Sequence, residues 1–375
     1  MSEGGPGPFD ARSAHVDWRP EVDRTEALRE RIFGSAMAAL ELYTIYLGER
    51  LGLYRALAEG GPASSSQLAD RTGTAERYVR EWLEQHAASG LLDVDDQRTD
   101  PLLRRYRLPP EHIPVLADPD NVRYEAHTGV DIVRAGRQLP QLVEAFRVGN
   151  APPPLPWEPE GRAEANRARF INLLGSQWLP AIADLDVRLR AEPPARVADV
   201  ACGTGWSSIA MAHAYPSIHV DGIDLDHYAI TAARQNAEGA GVAERVTFSV
   251  ADAANLGGPG GYDLVTIFEA LHDMSRPVDA LSAARQILAQ DGTMLVVDGL
   301  VNDEFTAPAS PRERTEYGWS VVSCLPSAMA DPQTAATGAV MRPSALRQYA
   351  IQAGFRDVQT LPIDTDYWRF YRLLP

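Results

Sequence analysis

One stretch, residues 196–226, constrains the fold of this chain most, because it reads as strand, tight turn, helix and strand in succession. Residues 197–200 are a short, mainly apolar run typical of a buried parallel strand. Gly203 and Gly205 follow, and their missing side chains allow a tight turn and leave room for a ligand at the backbone. Residues 207–215 have helical spacing, so the first N–H groups of that helix would point toward such a ligand.

The second strand ends at Asp224, where a carboxylate can accept hydrogen bonds from ribose hydroxyls. A dinucleotide site would need a third small residue in the pattern G-x-G-x-x-G. Gly203, Gly205 and Ser208 match that pattern only loosely. Asp199 lies inside the first strand and has no role in a dinucleotide site, but it could anchor the ammonium group of an amino-acid-bearing cofactor.

Residues 199–205 resemble the first motif of class I S-adenosylmethionine (SAM) methyltransferases, D-x-G-x-G-x-G, with Ala201 in place of the first glycine. The resemblance implies SAM as the cofactor. It also implies an acid after the third strand, close to the adenine amino group. The implied cofactor-binding residues are Asp199, Ala201, Gly203, Gly205, Asp224, Leu225, Asp252, Ala253 and Phe268.

The pattern downstream predicts alternating helices and strands. Residues 245–250, 262–268 and 293–297 read as strands, and residues 229–241 and 277–288 read as helices. The apolar run at 262–268 suits a sheet that is covered on both faces. The catalytic half is therefore expected to be a doubly wound α/β domain.

The end of the chain discriminates best between classes with such a sheet. Residues 343–353 predict a helix, and residues 357–363 and 367–373 predict an antiparallel hairpin. A dehydrogenase sheet normally stays parallel there, whereas SAM methyltransferases end with this reversed pair. We expect a Rossmann-like α/β fold with a parallel sheet and a terminal antiparallel hairpin, preceded by an α-helical winged-helix domain.

The N-terminal region predicts a helical module. Residues 26–57 form a long helical pattern with a dense apolar face, which favours burial against a second subunit and hence a homodimer. Ser64 is a suitable cap for a helix, and a turn leads to a second helix at residues 75–89. Strand patterns at residues 90–92 and 104–108 complete a winged helix-turn-helix.

Charge argues against DNA binding by this module. Residues 64–110 carry seven arginines and eight acids, whereas phosphate contacts need a basic face. We expect a dimerisation or substrate-covering domain, as the resemblance to small-molecule methyltransferases also implies. A winged-helix regulator that senses a ligand through its SAM fold is a weaker alternative.

Composition limits the partners and the chemistry. The 375 residues have a net charge of −16, which disfavours general affinity for nucleic acid or acidic membranes. All 35 basic residues are arginine, which excludes Schiff-base and P-loop lysines. No apolar run approaches the roughly 18 residues of a membrane span. Two cysteines provide no disulfide framework, so a cytoplasmic location is expected.

The length suggests two or three domains. We expect a flexible tail at residues 1–24, a winged-helix dimerisation domain at 25–110, a helical connector or lid at 111–190 and a SAM-binding catalytic domain at 191–375. Trp178 in the connector is a candidate for the substrate pocket, with simple packing on the sheet as an equal alternative.

The chemistry is expected just past the fourth strand, because ligands bind at the carboxyl ends of parallel strands. His272 and Asp273 resemble the catalytic segment H-D-W-x-D of winged-helix O-methyltransferases, with residues 274–276 replacing the tryptophan and the second acid. Histidine suits removal of a proton from a hydroxyl or phenol, so His272 is the candidate base, with Asp273 beside it. A structural histidine that closes the loop is an equal alternative.

A metal site is a third possibility. Some ketoacid C-methyltransferases with this architecture bind a metal through an equivalent His-Asp pair and a later histidine. No histidine follows His272, so a three-ligand site would need Cys324, Asp298 or Glu304. We predict no metal.

The insertion at residues 305–341 is expected to build the acceptor pocket, although core packing explains its residues equally well. The candidate substrate-pocket residues are Trp178, Glu269, Trp319, Cys324 and Met341. We predict SAM-dependent methyl transfer to a hydroxyl or phenol of a small secondary metabolite. A cyclisation or elimination that uses the SAM fold, or C-methylation, remains the alternative.

Overall fold

The computed structural model describes residues 23–153, 162–257 and 260–375. The chain divides into two compact units, Met1–Glu41 and Leu42–Pro375. The predicted flexible tail at residues 1–24 lies almost wholly outside the described residues. Within the described ranges, no helix is both long enough and apolar enough to cross a membrane.

From Arg196 to Gly299, strands and helices alternate along the chain, as the sequence predicts. The α-helices are α1 Arg24–Arg50, α2 Leu53–Gly60, α3 Ser65–Thr72, α4 Glu76–Ala88, α5 Ile113–Leu116, α6 His127–Val148, α7 Arg162–Arg169, α8 Ala183–Arg190, α9 Trp206–Ala214, α10 His227–Gly239, α11 Pro277–Ile287, α12 Pro311–Trp319, α13 Leu325–Ala328 and α14 Pro343–Gln352. The strands are β1 Asp93–Val94, β2 Tyr106–Arg107, β3 Arg196–Val200, β4 His219–Asp224, β5 Val246–Val250, β6 Tyr262–Phe268, β7 Leu288–Gly299, β8 Asp357–Thr360 and β9 Trp368–Leu374. Short 3-10 helices lie at Pro110–His112, Ala253–Asn255 and Leu271–Asp273, and π-helical segments at Phe170–Trp178 and Ser320–Cys324.

The long helix predicted over residues 26–57 is wrong in its extent, because a break divides it. α1 ends at Arg50, α2 begins at Leu53, and Gly52 between them has a φ of 68°. An α-helix requires negative φ, and glycine enters the left-handed region without a Cβ clash. The apolar pattern continues on both sides of the break, so periodicity alone does not reveal it.

The described part of the first unit is helical and exposes large apolar side chains. Five of these side chains each expose more than half of their surface: Leu28, Ile32, Phe33, Met37 and Leu40. Phe33, Met37 and Leu40 recur at intervals of four and three residues, which places them on one side of α1.

The winged helix-turn-helix is confirmed in its elements. α3 and α4 form the helix pair, and β1 and β2 pair antiparallel as the wing. Ser64 starts α3 with a capping box, since its hydroxyl accepts from the Gln67 N–H at 3.3 Å and the Gln67 side chain accepts from the Ser64 N–H at 3.0 Å. The first wing strand begins at Asp93 instead of residue 90, because Gly90 turns the chain with a φ of 74°.

The end of the predicted helical connector at residues 111–190 changes its helix type along the chain. α7 runs directly into the π-helical segment Phe170–Trp178, and α8 then covers only Ala183–Arg190. A π segment widens the helix by one residue per turn and therefore shifts which side chains face the sheet. Sequence periodicity at 3.6 residues does not register that shift.

The predicted sheet is confirmed, with seven strands in the order β5-β4-β3-β6-β7-β9-β8. β5, β4, β3, β6 and β7 are parallel, and β9 is antiparallel to both β7 and β8. β7 is longer than predicted, since it starts at Leu288 directly after α11. The parallel strands all end on the same edge, which collects the residues that follow them.

Helices cover both faces of this sheet. One buried cluster joins the sheet to the π segment, α8, α9 and α10, with Phe170, Leu185 and Ile209 among its members. A second cluster on the other face joins it to α11 and α14, through residues such as Leu281 and Leu346. This double cover explains the near-continuous apolar run of β6.

Substitution of two glycines of α6 tests how closely this helix packs against α1. A Cβ on Gly129 would lie 2.8 Å from the Leu42 carbonyl oxygen and from the Tyr46 nitrogen, whereas a Cβ on Gly136 meets nothing within 4 Å. We expect Gly129→Ala to lower the free energy of unfolding by about 1–3 kcal/mol through overpacking. Gly136→Ala should raise it by about 0.5–1 kcal/mol through helix propensity. Denaturant unfolding of both variants measures the difference, and equal effects would contradict the close helix contact.

Candidate functional site

The turn after β3 leaves backbone accessible where a ligand can approach. Ala201, Gly203 and Gly205 all have positive φ, at 59°, 54° and 83°. A Cβ on Gly205 would lie 2.6 Å from the Phe248 ring, whereas a Cβ on Gly203 would meet nothing within 4 Å. Gly205 is therefore required by packing, and Gly203 borders open space at the start of α9.

Asp224 lies at the carboxyl end of β4 and is tied to this turn. Its Oδ2 accepts from the Gly203 N–H at 2.8 Å, and its Oδ1 accepts from the Asp226 N–H at 2.9 Å. Each oxygen keeps a lone pair for a further donor. Burial raises the pKa of this carboxyl, although the two backbone N–H groups act in the opposite direction. The next side chain, Leu225, is exposed.

Asp199 is used inside the fold. Its side chain is buried, and its carboxylate accepts from the hydroxyls of Ser207 and Ser208 at 2.6 Å each and from Thr266 at 2.8 Å. Burial raises the pKa of Asp199, although these three hydrogen bonds act to lower it. Asp199 thus joins β3 to α9 and β6 beneath the turn, and its role as an anchor for a cofactor ammonium stays a prediction.

Asp252 follows β5 on the same edge of the sheet. Its Oδ1 accepts from the Ala254 N–H at 2.9 Å, and its Oδ2 accepts from Arg276 at 2.6 Å. The Ala251 N–H donates to the Asp224 carbonyl at 2.9 Å, which places the two acids side by side, and Ala253 begins the 3-10 helix that follows. Arg276 forms this ion pair with Asp252. It is the last of the three residues, 274–276, at which the chain differs from the segment H-D-W-x-D.

An indole and a guanidinium border the turn and were missed by the sequence analysis. Trp206 directly follows Gly205, and the Arg167 guanidinium lies 4.6 Å from its ring centroid. The Trp206 Nε1 atom is buried and has no hydrogen-bond partner. A buried donor without a partner is costly, so this N–H is available to an acceptor atom of a ligand.

The end of β6 carries backbone strain. Phe268 is buried and packs edge-to-face on Phe170, with ring centroids 5.4 Å apart. Glu269 follows with a φ of 48°, and its Oε2 accepts from the Asn166 side chain at 2.9 Å. A non-glycine residue in this region costs about 1–3 kcal/mol and typically marks functional sites.

His272 is buried in the 3-10 turn after β6 and is held by carboxylates. Its Nδ1 lies 2.6 Å from Asp298 Oδ1, and its Nε2 lies 3.4 Å from Asp273 Oδ1. Burial alone would lower the pKa of His272, but the Asp298 and Asp273 carboxylates raise it well above its usual range. The Asp298 contact also fixes Nδ1 as the donor, so Nε2 is the position that exchanges a proton.

The structure separates the predicted substrate-pocket residues. Cys324 is buried beside His272, and the ligand atoms of Cys324, His272 and Asp273 all lie within 4.8 Å of one another. Trp178 instead packs in the core, edge-to-face on Trp368 at 5.1 Å. Trp319, at the end of α12, is half-buried. The absence of a metal stays a prediction.

Met341 is buried and borders a separate cavity of about 420 Å³. Tyr317, Ser320, Thr337 and Tyr349 also line this cavity. The loop between them donates its Gly338 N–H to the His272 carbonyl oxygen at 3.2 Å. The insertion therefore contributes to a pocket next to the His272 turn.

The sequence did not single out two acids, Asp298 and Glu316, as part of the region around His272. Asp298, at the end of β7, was only one of several acids considered there. Glu316 of α12 was not singled out, yet it is buried and pairs with Arg312 at 2.5 Å. Glutamate is almost never fully buried unless it is paired. The burial of Glu316 is not evident from the sequence, because α12 is short and has little apolar periodicity.

Two family models match the chain. A Rv2258c-like winged HTH domain matches residues 38–118, and a methyltransferase domain matches residues 197–292. The second match covers the glycine turn, Asp224, Asp252 and His272. The first covers the helix pair and wing described above.

Curated relatives match parts of the chain. An uncharacterized protein of Synechococcus is 33% identical over 26% of this chain and 24% of its own length. A ubiquinone biosynthesis O-methyltransferase of Ralstonia nicotianae is 32% identical over 36% of this chain and 52% of its own length. The chain thus spans about a quarter and about a half of these two relatives.

Solved structures share the fold over nearly the full chain. The mitomycin 7-O-methyltransferase has a TM-score of 0.63 at 20% identity, over 93% of this chain and 98% of that one. Human N-acetylserotonin methyltransferase in complex with SAM has a TM-score of 0.70 at 18% identity, over 95% and 99%. At these identities the likeness concerns architecture.

Proposed function

The chain carries a class I methyltransferase domain behind an N-terminal winged-helix domain, and from this premise we propose that it transfers a methyl group from SAM to an oxygen atom of a small molecule. The observation that carries the proposal is the placement of the His272–Asp298 pair on the same sheet edge as the glycine turn and Asp224. The curated ubiquinone biosynthesis relatives are O-methyltransferases, which supports oxygen as the acceptor atom.

The residues of the turn fit SAM. Gly203 leaves space for a ligand, and each Asp224 oxygen keeps a lone pair for a ribose hydroxyl. Asp252 lies beside Asp224, where the resemblance expects the adenine, and the Trp206 N–H offers a buried donor. When bound, SAM supplies an activated methyl group, so the protein mainly needs to align the acceptor.

Calorimetric titration with SAM and S-adenosylhomocysteine tests the cofactor, with Asp224→Asn as the variant. We expect this variant to weaken binding of both by about 1–3 kcal/mol, because charge-assisted hydrogen bonds to the ribose are lost. Asp221→Asn is the matched control on β4, since that carboxylate is occupied by Thr247 and Tyr262. Unchanged affinity in Asp224→Asn would remove Asp224 from the site, and no binding to the native protein would overturn the proposed function.

His272 is proposed as the base that removes the acceptor proton, with Asp298 as its positioning residue. Asp298 accepts from Nδ1 and stabilises the imidazolium that forms when Nε2 takes the proton. Asp298 itself is fixed by the Gly299 N–H, which donates to Oδ1 at 2.8 Å. Because the neighbouring carboxylates raise the pKa of His272, the imidazole must first be neutralised, and that happens only at higher pH.

His272→Gln should lower turnover by roughly 10²–10⁴ and leave SAM affinity unchanged, because only proton transfer is lost. In the native protein the rate should rise with pH through an inflection above about 6.5, the ordinary histidine value. A screen for products 14 mass units heavier provides the acceptor for both measurements. His213→Ala, an exposed histidine of α9, is the control. A rate that falls over this pH interval, or SAM binding lost with His272, would instead assign the histidine a structural role.

A homodimer is proposed from the exposed side of α1 that carries Phe33, Met37 and Leu40. An apolar surface of this kind on a helix typically marks an interface. We expect Met37→Asp to shift the protein toward monomer in sedimentation velocity. Ser35→Asp, on the opposite side of the same helix, should not change the sedimentation coefficient. A native protein that sediments as a monomer would overturn this proposal.

The remaining proposals concern the setting of the reaction. Nucleic acid is not proposed as a partner, since Arg77 and Arg80 of α4 pair with glutamates of the same helix. A cytoplasmic location is supported by Cys202 and Cys324, which are both buried and form no disulfide bond. A secondary metabolite is proposed as the acceptor, and the product-mass screen with extracts and pure phenols tests it.

A further inference from the structure

The cavity of about 420 Å³ next to the His272 turn is not used by the proposed methyl transfer. Its walls come from Tyr317 of α12, from Ser320 directly after that helix, from the loop at residues 335–342 and from α14. Of the described residues that line it, neither His272 nor Asp298 is one. Its volume is in the range of small-molecule pockets. The cavity is therefore a candidate for a second ligand site.

Apolar and aromatic residues form much of the wall. Val340, Met341 and Ala345 are its aliphatic members, and Tyr317 and Tyr349, both half-buried, are its aromatic members. Aromatic rings pack favourably on one another, and a methionine thioether makes favourable contacts with ring edges. This wall favours a ligand with an aromatic body.

Hydroxyl groups supply the polar part of the wall. The hydroxyl oxygens of Thr337 and Tyr349 lie 3.0 Å apart, so one of their two protons is shared between them and the other can be donated to a ligand. The Tyr317 hydroxyl accepts from Arg342 at 3.1 Å and keeps its own proton to donate. Since hydroxyls both donate and accept, they suit a ligand that carries hydroxyl or carbonyl groups.

The charges at the wall favour a neutral ligand. Arg342 is the one charged residue among the described residues that line the cavity, and it is already bound by the buried Glu313 at 2.7 Å and by the Asn302 carbonyl oxygen at 2.6 Å. An ammonium ligand would find no carboxylate among these lining residues. A carboxylate ligand would have to compete with Glu313 for Arg342. A neutral ligand avoids the cost of burying a poorly paired charge.

The loop at residues 335–342 connects the cavity with the His272 turn. The Ala335 N–H donates to the Ser275 carbonyl oxygen at 2.8 Å, and the Gly338 N–H donates to the His272 carbonyl oxygen at 3.2 Å. Ala336, between the two donors, lines the cavity with a φ of 49°. This conformation is costly for a residue with a Cβ and typically occurs at functional sites.

We propose that this cavity binds a neutral aromatic molecule carrying hydroxyl or carbonyl groups, and that the bound molecule stabilises the loop that holds the His272 turn. The site is additional to the proposed methyl-transfer site and does not depend on it. Because α12 and α14 also line the cavity, a ligand that contacts both helices restrains the loop between them.

Three naphthalenes with one skeleton and different charges test the proposal. They are 2,7-bis(hydroxymethyl)naphthalene, 2,7-bis(aminomethyl)naphthalene and naphthalene-2,7-dicarboxylate, which are neutral, cationic and anionic. The protein is labelled with ¹³C at its methionine methyl groups, and Met341→Leu identifies the Met341 signal among the seven methionines. An aromatic ring bound at the wall shifts the NMR signal of this methyl group.

We expect the neutral diol to shift the Met341 signal with a dissociation constant of about 1 mM or tighter, the affinity expected of a molecule of this size in a matched pocket. Both charged compounds should bind about threefold more weakly or worse, because their charges are poorly paired in the cavity. The signal of Met211, which is buried in α9, is the internal control and should not shift.

Variants of the wall locate the binding. Thr337→Val removes one hydroxyl at nearly constant shape and should weaken binding of the diol about three- to tenfold. Thr315→Val is the matched control, because Thr315 is exposed and donates to the Pro311 carbonyl oxygen of its own helix at 3.0 Å. Ala345→Trp fills the cavity and should abolish binding of the diol, whereas Gln348→Trp, at an exposed position of the same helix, should not. Circular dichroism establishes folding of each variant.

Hydrogen exchange tests the effect on the loop. The amides of Ala335 and Gly338 should exchange about threefold more slowly or less when the diol is bound at saturating concentration, because opening of the loop then competes with binding. The amide of Ile209, in the buried helix α9, should keep its rate and serves as the control.

Three outcomes would overturn the binding site: an unshifted Met341 signal with millimolar diol, equal binding of the three naphthalenes, or unchanged affinity for the diol in both Thr337→Val and Ala345→Trp. Unchanged exchange of Ala335 and Gly338 in the bound protein would overturn the stabilisation of the loop. These measurements need no SAM, so a failure of the proposed methyl transfer is detected separately, by the calorimetric titration with SAM.

Discussion

A buried carboxylate holds the ligand-binding edge of this protein together. Asp199 is buried at the end of β3 and accepts hydrogen bonds from Ser207 and Ser208 of α9 and from Thr266 of β6. Burying a charge without such partners would be prohibitive, so the three hydroxyls and the acid fix one another. These hydrogen bonds also hold the glycine turn above them in place. The Gly203 N–H of that turn donates to Asp224 and so positions its carboxylate.

The neighbouring strands use carboxylates differently. Asp199 is satisfied entirely within the fold, Asp224 and Asp252 are partly satisfied at the rim, and Asp298 is committed to His272. The satisfied acid supports the architecture, whereas the partly satisfied acids can still bind a ligand. This difference between the acids along one sheet edge supports the proposal that the cofactor binds over β3 to β5 and that the acceptor reacts over β6 and β7.

Much of this arrangement is predictable from sequence, because its determinants are local. The glycine turn, the acid three residues before the next helix, and the alternation of strands and helices depend on neighbours in the chain. The same holds for the capped helix after Ser64. Local patterns did not reveal the break at Gly52 or the two π segments, since apolar periodicity survives a single left-handed residue or an extra residue in one turn.

By itself, the sequence determined the doubly wound sheet, the terminal hairpin, the turn at Gly203 and the position of His272 after β6. Only the tertiary structure decided that Asp298 contacts His272, that Cys324 lies beside it, and that Trp178 belongs to the core. The physical reason is separation along the chain. The side chains of Asp298 and Cys324 meet His272 only after the sheet is assembled, and burial is a property of that assembly.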